Sequence, residues 1–242
     1  MAGMKRTFSR RQALGLLGAA SATVAAACGS SPTTPTATTT SGGSSTGGTT
    51  TSSACAVSPN ETAGPYPDRT GMVSNSAFYR QDITEGKSGL PLTLALTVVN
   101  VANGCAPVAN ANVEIWQCDA SGTYSEYGSA AGQTFLRGLQ ATNANGVVTF
   151  RTVYPGWYMG RATHIHLQVY LNGAVVKTTQ VAFPETVSAA VYRTGVYASH
   201  GQNSTTNSSD NVFSDGTDHE LAALAGDTSS GYTATLTVGI SV

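Results

Sequence analysis

Apolar and polar residues alternate with a period of two along much of the chain, the pattern typical of half-buried β-strands. The alternation is clearest in residues 92–99, 112–117, 148–151 and 234–241. Pairs that favour turns separate these runs, among them Asn103-Gly104, Asn145-Gly146, Pro155-Gly156 and Asn172-Gly173. The pattern predicts an all-β fold, an antiparallel β-sandwich with little helix.

A further strand is predicted over residues 163–171, where the two faces differ in chemistry. Ile165, Leu167 and Val169 share one face, which we expect to lie in the core. His164 and His166 occupy successive positions on the opposite face. Two imidazoles at that spacing lie close enough to bind one metal ion.

Outside the strands, one short helix and one long loop are predicted. The helix covers about residues 184–193, with Pro184 near its first turn. Residues 197–218 are rich in Asn, Ser and Thr, which indicates a surface loop. His200 and His219 have no partners at ligand spacing, and we expect both to be surface residues.

The first 28 residues have the features of a bacterial export signal. They carry basic residues that include the pair Arg10-Arg11, typical of twin-arginine (Tat) signals, and then an apolar run that is too short for a membrane span. The run ends at Ala27-Cys28, which resembles a lipobox. The signal predicts an extracytoplasmic protein in the cell envelope that is lipid-anchored at Cys28, with ordinary cleavage and an unmodified Cys28 as the alternative.

The remaining chain divides into a linker and one domain. Residues 29–54 are rich in Ser, Thr and Gly and carry no charge, so they predict a flexible tether. Residues 55–242 are long enough for one domain with a substantial core. Removal of residues 1–28 takes away four bases, leaving 12 − 4 = 8 Lys and Arg against 13 Asp and Glu, a net charge of −5. This acidic balance disfavours nucleic-acid binding.

The domain contains an odd number of cysteines: Cys55, Cys105 and Cys118. A bridge between Cys105 and Cys118 is geometrically poor, because the strand over residues 112–117 would hold the two residues too far apart. We therefore expect a Cys55–Cys105 disulfide, with Cys118 as a buried free thiol.

Tyrosine is the residue type best placed to complete the predicted metal site. No Cys or Asp lies close enough in sequence to His164 and His166 to complete a usual zinc set. Phenolate is a hard anionic ligand that suits iron(III). Four tyrosines lie nearby, and we expect Tyr127 and Tyr154 to be packed aromatic residues with hydrogen-bonded hydroxyls.

Several motifs together resemble one enzyme family. They are Glu61-Thr-Ala-Gly-Pro-Tyr-Pro67, Glu114-Ile-Trp-Gln-Cys-Asp-Ala-Ser-Gly-Thr-Tyr124, Phe135-Leu-Arg-Gly138, Tyr154-Pro-Gly-Trp-Tyr158 and Arg161-Ala-Thr-His-Ile-His166. In this order and spacing they resemble the intradiol ring-cleavage dioxygenases, which include the protocatechuate and catechol dioxygenases and exported relatives. The resemblance runs from about residue 55 to the C-terminus.

The resemblance implies a set of site residues. One Fe(3+) per chain would be bound by Tyr124, Tyr158, His164 and His166, with Tyr158 as the ligand that departs when substrate binds. Arg161 would stabilise the anionic substrate, and Gln180 would lie near it. The substrate pocket would be lined by Gly64, Pro65 and Tyr66, while Trp157 either lines that pocket or packs.

The same resemblance implies the reaction. A catechol-type substrate and O2 would react so that the ring opens between its two hydroxylated carbons, giving a muconate-type diacid. Two alternatives without catalysis are a transthyretin-like binding sandwich and a surface adhesion module on a stalk. Neither alternative explains the four candidate ligands together with Arg161.

Overall fold

The computed structural model describes residues 55–242. The predicted export signal and linker, residues 1–28 and 29–54, lie outside this range, as does Cys28. Within residues 55–242, no helix is both long and apolar enough to cross a membrane.

Nine strands form most of the regular structure of the described residues. They are β1 (Pro91–Asn100), β2 (Ala106–Pro107), β3 (Asn112–Trp116), β4 (Arg137–Ala141), β5 (Val147–Val153), β6 (His164–Leu171), β7 (Ala174–Ala182), β8 (Ala223–Asp227) and β9 (Gly231–Ile240). The predicted runs of alternation correspond to β1, β3, β5, β6 and β9. Each was predicted because one face of the strand is apolar.

The strands form two sheets, which we call the first and the second sheet. The first sheet has the order β2-β1-β9-β8, and β5 also pairs with β1; the second has the order β4-β3-β6-β7. Every strand pair is antiparallel except β1 with β9. The predicted β-sandwich is therefore confirmed, with one parallel pair that the alternation pattern could not show.

The core lies between the two sheets and is filled by their inward-facing side chains. Leu94 and Leu96 from β1 belong to the same buried cluster as Ile165, Leu167 and Val169 from β6. The apolar face predicted for β6 is therefore confirmed. Because this face is buried, the alternate residues of β6 must project from the outer face of the second sheet.

The helix and the disulfide also agree with the prediction. The helix α1 covers Glu185–Val191. Cys55 and Cys105 form a disulfide with Cα atoms 5.9 Å apart, within the usual range. Cys118 is the free cysteine of the described residues, and it is buried. The disulfide ties the start of the domain to the turn after β1.

Candidate metal centre

The outer face of the second sheet brings two imidazoles together on β6. His164 and His166 are 3% and 0% exposed, and their Nε2 atoms lie 3.1 Å apart. In the sheet, His166 is paired with Trp116 on β3 and with Gln180 on β7. The Trp116 ring stacks on the His166 ring at 4.9 Å between centroids, which fixes the plane of that imidazole.

Two tyrosine hydroxyls from separate loops approach the same point. Tyr124 lies in the loop between β3 and β4, and Tyr158 lies between β5 and β6. Each Oη atom is 3.4 Å from His164 Nε2. Four potential ligand atoms, two nitrogens and two oxygens, therefore converge although the residues come from three different segments.

Hydrogen bonding determines which nitrogen of His164 is unprotonated. His164 Nδ1 lies 2.6 Å from the carbonyl oxygen of Ala162. A carbonyl only accepts, so Nδ1 carries the proton and Nε2 is unprotonated in the neutral ring. Burial, with a contribution from Arg161, lowers the pKa of His164 to about 3, and burial also lowers the pKa of His166 well below its usual value. Both rings are therefore neutral, the form that binds metals.

The protein alone does not favour ionised phenols at this point. Burial raises the pKa of Tyr158 to about 12 and that of Tyr124 well above its ordinary value. Arg161 lowers both pKa values without offsetting the effect of burial, so phenolate at either position requires a further positive charge close to the oxygen atoms. Such a donor set, neutral imidazoles beside phenols that need a positive partner, fits a highly charged hard metal ion such as Fe(3+).

The described residues contain no second candidate metal site made of His, Cys, Asp and Glu. Between residues 55 and 242, no three or more His, Cys, Asp and Glu side chains are grouped so that they could hold a metal ion.

The segment before the sandwich covers the donor atoms. The Tyr66 ring stacks on Tyr124 at 4.5 Å and meets Tyr158 edge-on at 5.6 Å. Gly64 has a positive φ of 70°, and a Cβ atom there would lie 2.6 Å from His166 Cε1. Only glycine fits this close approach, so Gly64 and Tyr66 form one wall of the site, while Pro65 between them is exposed.

Arg161 lies beside the donor atoms and is held by several partners. Its Nη1 atom is 3.4 Å from Tyr158 Oη and 3.4 Å from His164 Nε2. Its Nη2 donates to Gln180 Oε1 at 2.6 Å, and the Gln180 amide donates to the Thr62 carbonyl at 3.0 Å. The structure thus places one cationic group next to the donors.

Comparison with known proteins identifies the family. The family model described as Dioxygenase matches residues 63–191, more than half of the chain. The chain is also similar to an intradiol ring-cleavage dioxygenase from Tetranychus urticae. The two share 30% identity over 77% of this chain and 95% of that one, with a TM-score of 0.70. This chain belongs to the intradiol ring-cleavage dioxygenases.

Other solved structures resemble this dioxygenase to different degrees. One is the dioxygenase domain of a dioxygenase and carbohydrate-binding protein fusion from Streptomyces sp. SirexAA-E, with 28% identity, 77% and 99% coverage and a TM-score of 0.57. The 3-chlorocatechol 1,2-dioxygenase from Rhodococcus opacus 1CP shares the fold at 21% identity, with 76% and 72% coverage and a TM-score of 0.55.

The remaining tyrosines of the dioxygenase site region are packed, as predicted. The Tyr127 hydroxyl donates a hydrogen bond to the Pro67 carbonyl at 2.7 Å. The Tyr154 hydroxyl lies 2.8 Å from Ser188 Oγ, and the ring belongs to the core. Both hydroxyls have partners away from the four donor atoms.

Trp157 and His200 form a contact that the sequence did not indicate. Trp157 Nε1 donates to the Gly201 carbonyl at 3.0 Å, and the His200 ring lies 4.5 Å from the Trp157 ring. His200 Nε2 is 2.8 Å from the Trp157 carbonyl. This position favours packing over pocket lining for Trp157. It also corrects the expectation that His200 is a simple surface residue.

Two charged residues support the site but were not predicted to do so. Arg137, in the motif Phe135-Leu-Arg-Gly138, is 0% exposed and donates to the carbonyls of Tyr66 and Ser125, each at 2.9 Å. It thereby ties the cover segment to the loop that carries Tyr124. Asp210, in the predicted surface loop, is 1% exposed and accepts from Arg161. An arginine within a motif can be recognised in the sequence, whereas nothing in the polar loop distinguishes Asp210 from its neighbours.

Proposed function

We propose that this dioxygenase binds one Fe(3+) through Tyr124, Tyr158, His164 and His166, and that it cleaves catechol-type rings between the two hydroxylated carbons. The reaction uses O2 and gives a muconate-type diacid. Family membership supports the reaction class. The convergence of four donor atoms from three segments is the observation that carries the proposal.

The metal supplies one part of the chemistry. A bound ferric ion would supply Lewis acidity, which would favour ionised catechol oxygens and draw electron density from the ring, so that the ring would become reactive toward O2. The remaining steps fall to side chains of this chain.

Tyr158 is suited to the role of departing ligand and proton acceptor. Tyr124 is 3% exposed and packed among Trp116 and Cys118, whereas Tyr158 is only partly buried. A Tyr158 phenolate that is no longer bound to a metal ion would be the stronger base, and it would become a phenol by accepting a proton from the incoming catechol hydroxyl. The more exposed of the two tyrosines can move with less loss of packing.

Arg161 is suited to stabilise negative charge on the substrate. Its guanidinium is fixed before substrate arrives, with Nη1 directed toward Tyr158 and His164. A preorganised cation in a largely dry site stabilises charge that builds during the reaction without further reorganisation. Gln180 orients the guanidinium through the contact with Nη2.

The aromatic cover would admit a flat ring and exclude bulk water. The Tyr66 ring meets the Tyr158 ring edge-on, and Gly64 packs against His166 without a side chain of its own. Planar aromatic substrates pack well against such walls. We therefore assign Gly64, Pro65 and Tyr66 to substrate binding, with Tyr66 as the main contact.

The proposal is tested by turnover of a panel of catechols with purified protein. Metal is removed with a chelator, and the protein is reconstituted with Fe(3+) or with Zn(2+) as a control. We expect O2 uptake and a muconate-type product only in the ferric sample. A protein that binds catechols without O2 uptake would instead be a binding sandwich, and the proposal would be wrong.

We further propose that residues 1–28 direct Tat export and that lipid on Cys28, with the linker over residues 29–54, anchors the domain to the cell envelope. The proposal rests on the sequence alone. Metabolic labelling with a fatty-acid probe should mark the native chain and not the Cys28→Ala variant; labelling of both would contradict it.

A further inference from the structure

Within residues 55–242, Asp210 is the carboxylate that forms a salt bridge with Arg161. Its two carboxylate oxygens accept from Arg161 Nε at 3.0 and 2.8 Å. The side chain of Asp210 is 0% exposed and that of Arg161 is 11% exposed, so water screens the pair weakly. The carboxylate is therefore both a hydrogen-bond partner and the main compensating charge for the guanidinium.

The same carboxylate holds the backbone next to Arg161. The Ala162 amide donates to Asp210 Oδ2 at 2.7 Å, and the side chain of Asn203 donates to the Arg161 carbonyl at 2.9 Å. Asp210 is itself fixed, since Oδ1 accepts from the Val212 amide at 2.9 Å. Both ends of the arginine, backbone and side chain, are thus tied to one loop.

The hydrogen bonds of Arg161 determine which edge of the guanidinium faces the metal centre. Nε donates to Asp210 and Nη2 donates to Gln180. A guanidinium is planar, so fixing two of its three nitrogens fixes the third. Nη1 is the remaining nitrogen, and it lies beside Tyr158 and His164.

We propose that Asp210 is a positioning residue of the catalytic centre, acting through Arg161 and Ala162 to aim Nη1 at the place where the substrate oxygens bind. The inference rests on the role proposed for Arg161. It gives the polar loop over residues 197–218 a function in catalysis, although the loop contributes none of the four donor atoms.

A double-mutant cycle tests this inference with the iron-loaded protein. Asp210→Asn keeps the shape of the side chain but loses the charge and one acceptor. We expect kcat/KM to fall at least about tenfold, mostly in kcat, with iron content unchanged. In an Arg161→Gln background the same change should alter kcat/KM less than about twofold, because its target is gone.

Two further variants separate positioning from simple stability. Asp210→Glu keeps the charge and should recover part of the lost kcat. Asp215→Asn removes a carboxylate from an exposed position of the same loop and should leave kcat unchanged. If Asp210→Asn does not fold, Asp210→Glu takes its place in the cycle, with a smaller expected loss.

Thermal unfolding of the four proteins of the cycle (wild type, the two single variants and the double variant) gives a readout that does not depend on turnover. Asp210→Asn and Arg161→Gln should each lower Tm, and the double variant should lower it by less than their sum. Fully additive effects on kcat/KM or on Tm would overturn the proposal, as would a loss of iron that parallels the loss of activity. Wild-type protein that turns over no catechol, yet retains the coupling in Tm, would contradict the proposed function and not the Asp210–Arg161 pair.

Discussion

The outer faces of the two sheets differ although their sequences alternate in the same way. On the first sheet, Thr233, Thr235 and Arg151 alternate with core residues and are exposed. On the second sheet, His164 and His166 alternate with core residues and are buried. The difference arises because the segment before β1 covers this face. Gly64 packs against His166, and Tyr66 packs on Tyr124 and Tyr158, whose hydroxyls adjoin His164.

This difference shows how the sandwich obtains its site. A covered polar face loses water, so its groups must find partners within the protein or bind a ligand. His166 Nδ1 and Trp116 Nε1 are buried without hydrogen-bond partners. An exposed face has no such requirement.

The largest effect is expected from removing a donor atom. His166→Ala should weaken iron binding more than about 100-fold. Even the mutation of a residue that only supports a metal ligand typically lowers metal affinity about 10–100-fold. Thr235→Ala on the exposed face should change stability by less than about 0.5 kcal/mol and leave iron binding intact. Iron per chain, measured after dialysis, distinguishes the two; equal iron retention would contradict the assignment of His166.

Removal of the cation is expected to lower turnover and to leave iron binding intact. Arg161→Gln should lower kcat about 10²–10³-fold, the usual loss for one preorganised charge-stabilising group, while iron content stays at the wild-type level. The matched control is Arg151→Gln, since Arg151 is exposed on β5. Steady-state kinetics with a catechol substrate measure kcat for both variants. A normal kcat for Arg161→Gln would exclude a role of Arg161 in stabilising charge on the substrate.

The inward faces of the sheets should respond alike. Ile165 on β6 and Leu94 on β1 are both 0% exposed and belong to one core cluster. Replacement of either by Ala should lower the free energy of unfolding by about 2–5 kcal/mol. Denaturant titration measures this loss. A far smaller loss for Ile165→Ala would mean that the site face, and not the core face, determines the stability of β6.

The smallest effect concerns a buried carboxylate on the covered face. Glu114 is 2% exposed, and burial raises its pKa to about 7 from an ordinary value of 4.5. Because the folded pKa is raised, Glu114 favours the folded state at low pH, and this contribution is lost as the pH rises from 4.5 through about 7. Glu114→Gln should therefore reduce the fall in Tm across this window. An unchanged pH dependence would show that Glu114 is already ionised in the folded protein.

The fold and half of the candidate site were accessible from local sequence patterns. Alternation predicted β1, β3, β5, β6 and β9, and it placed His164 and His166 on one face, because residues two apart in a strand are neighbours in space. The parallel pairing of β1 with β9 joins strands far apart in sequence and leaves no local signal.

The other half of the site depends on contacts between distant segments. Tyr124 is 40 residues from His164, and Asp210 is 49 residues from Arg161. The roles of Tyr124, Tyr158 and Arg161 were predicted from the resemblance of their motifs to those of the family. No motif supplied Asp210, because a single acid in a polar loop has the same appearance whether it is buried beside an arginine or solvated.

The central claim, a ferric site with two tyrosine ligands, is tested most directly by the visible absorption spectrum of the iron-loaded protein. Phenolate bound to Fe(3+) gives a charge-transfer band, so the protein should be wine-red to brown, and the band should shift when a catechol is added. Tyr158→Phe should shift or weaken the band, while Tyr127→Phe, which removes a hydroxyl bonded to Pro67, should leave it unchanged. A colourless iron-loaded protein, or a spectrum that Tyr158→Phe does not alter, would contradict the account.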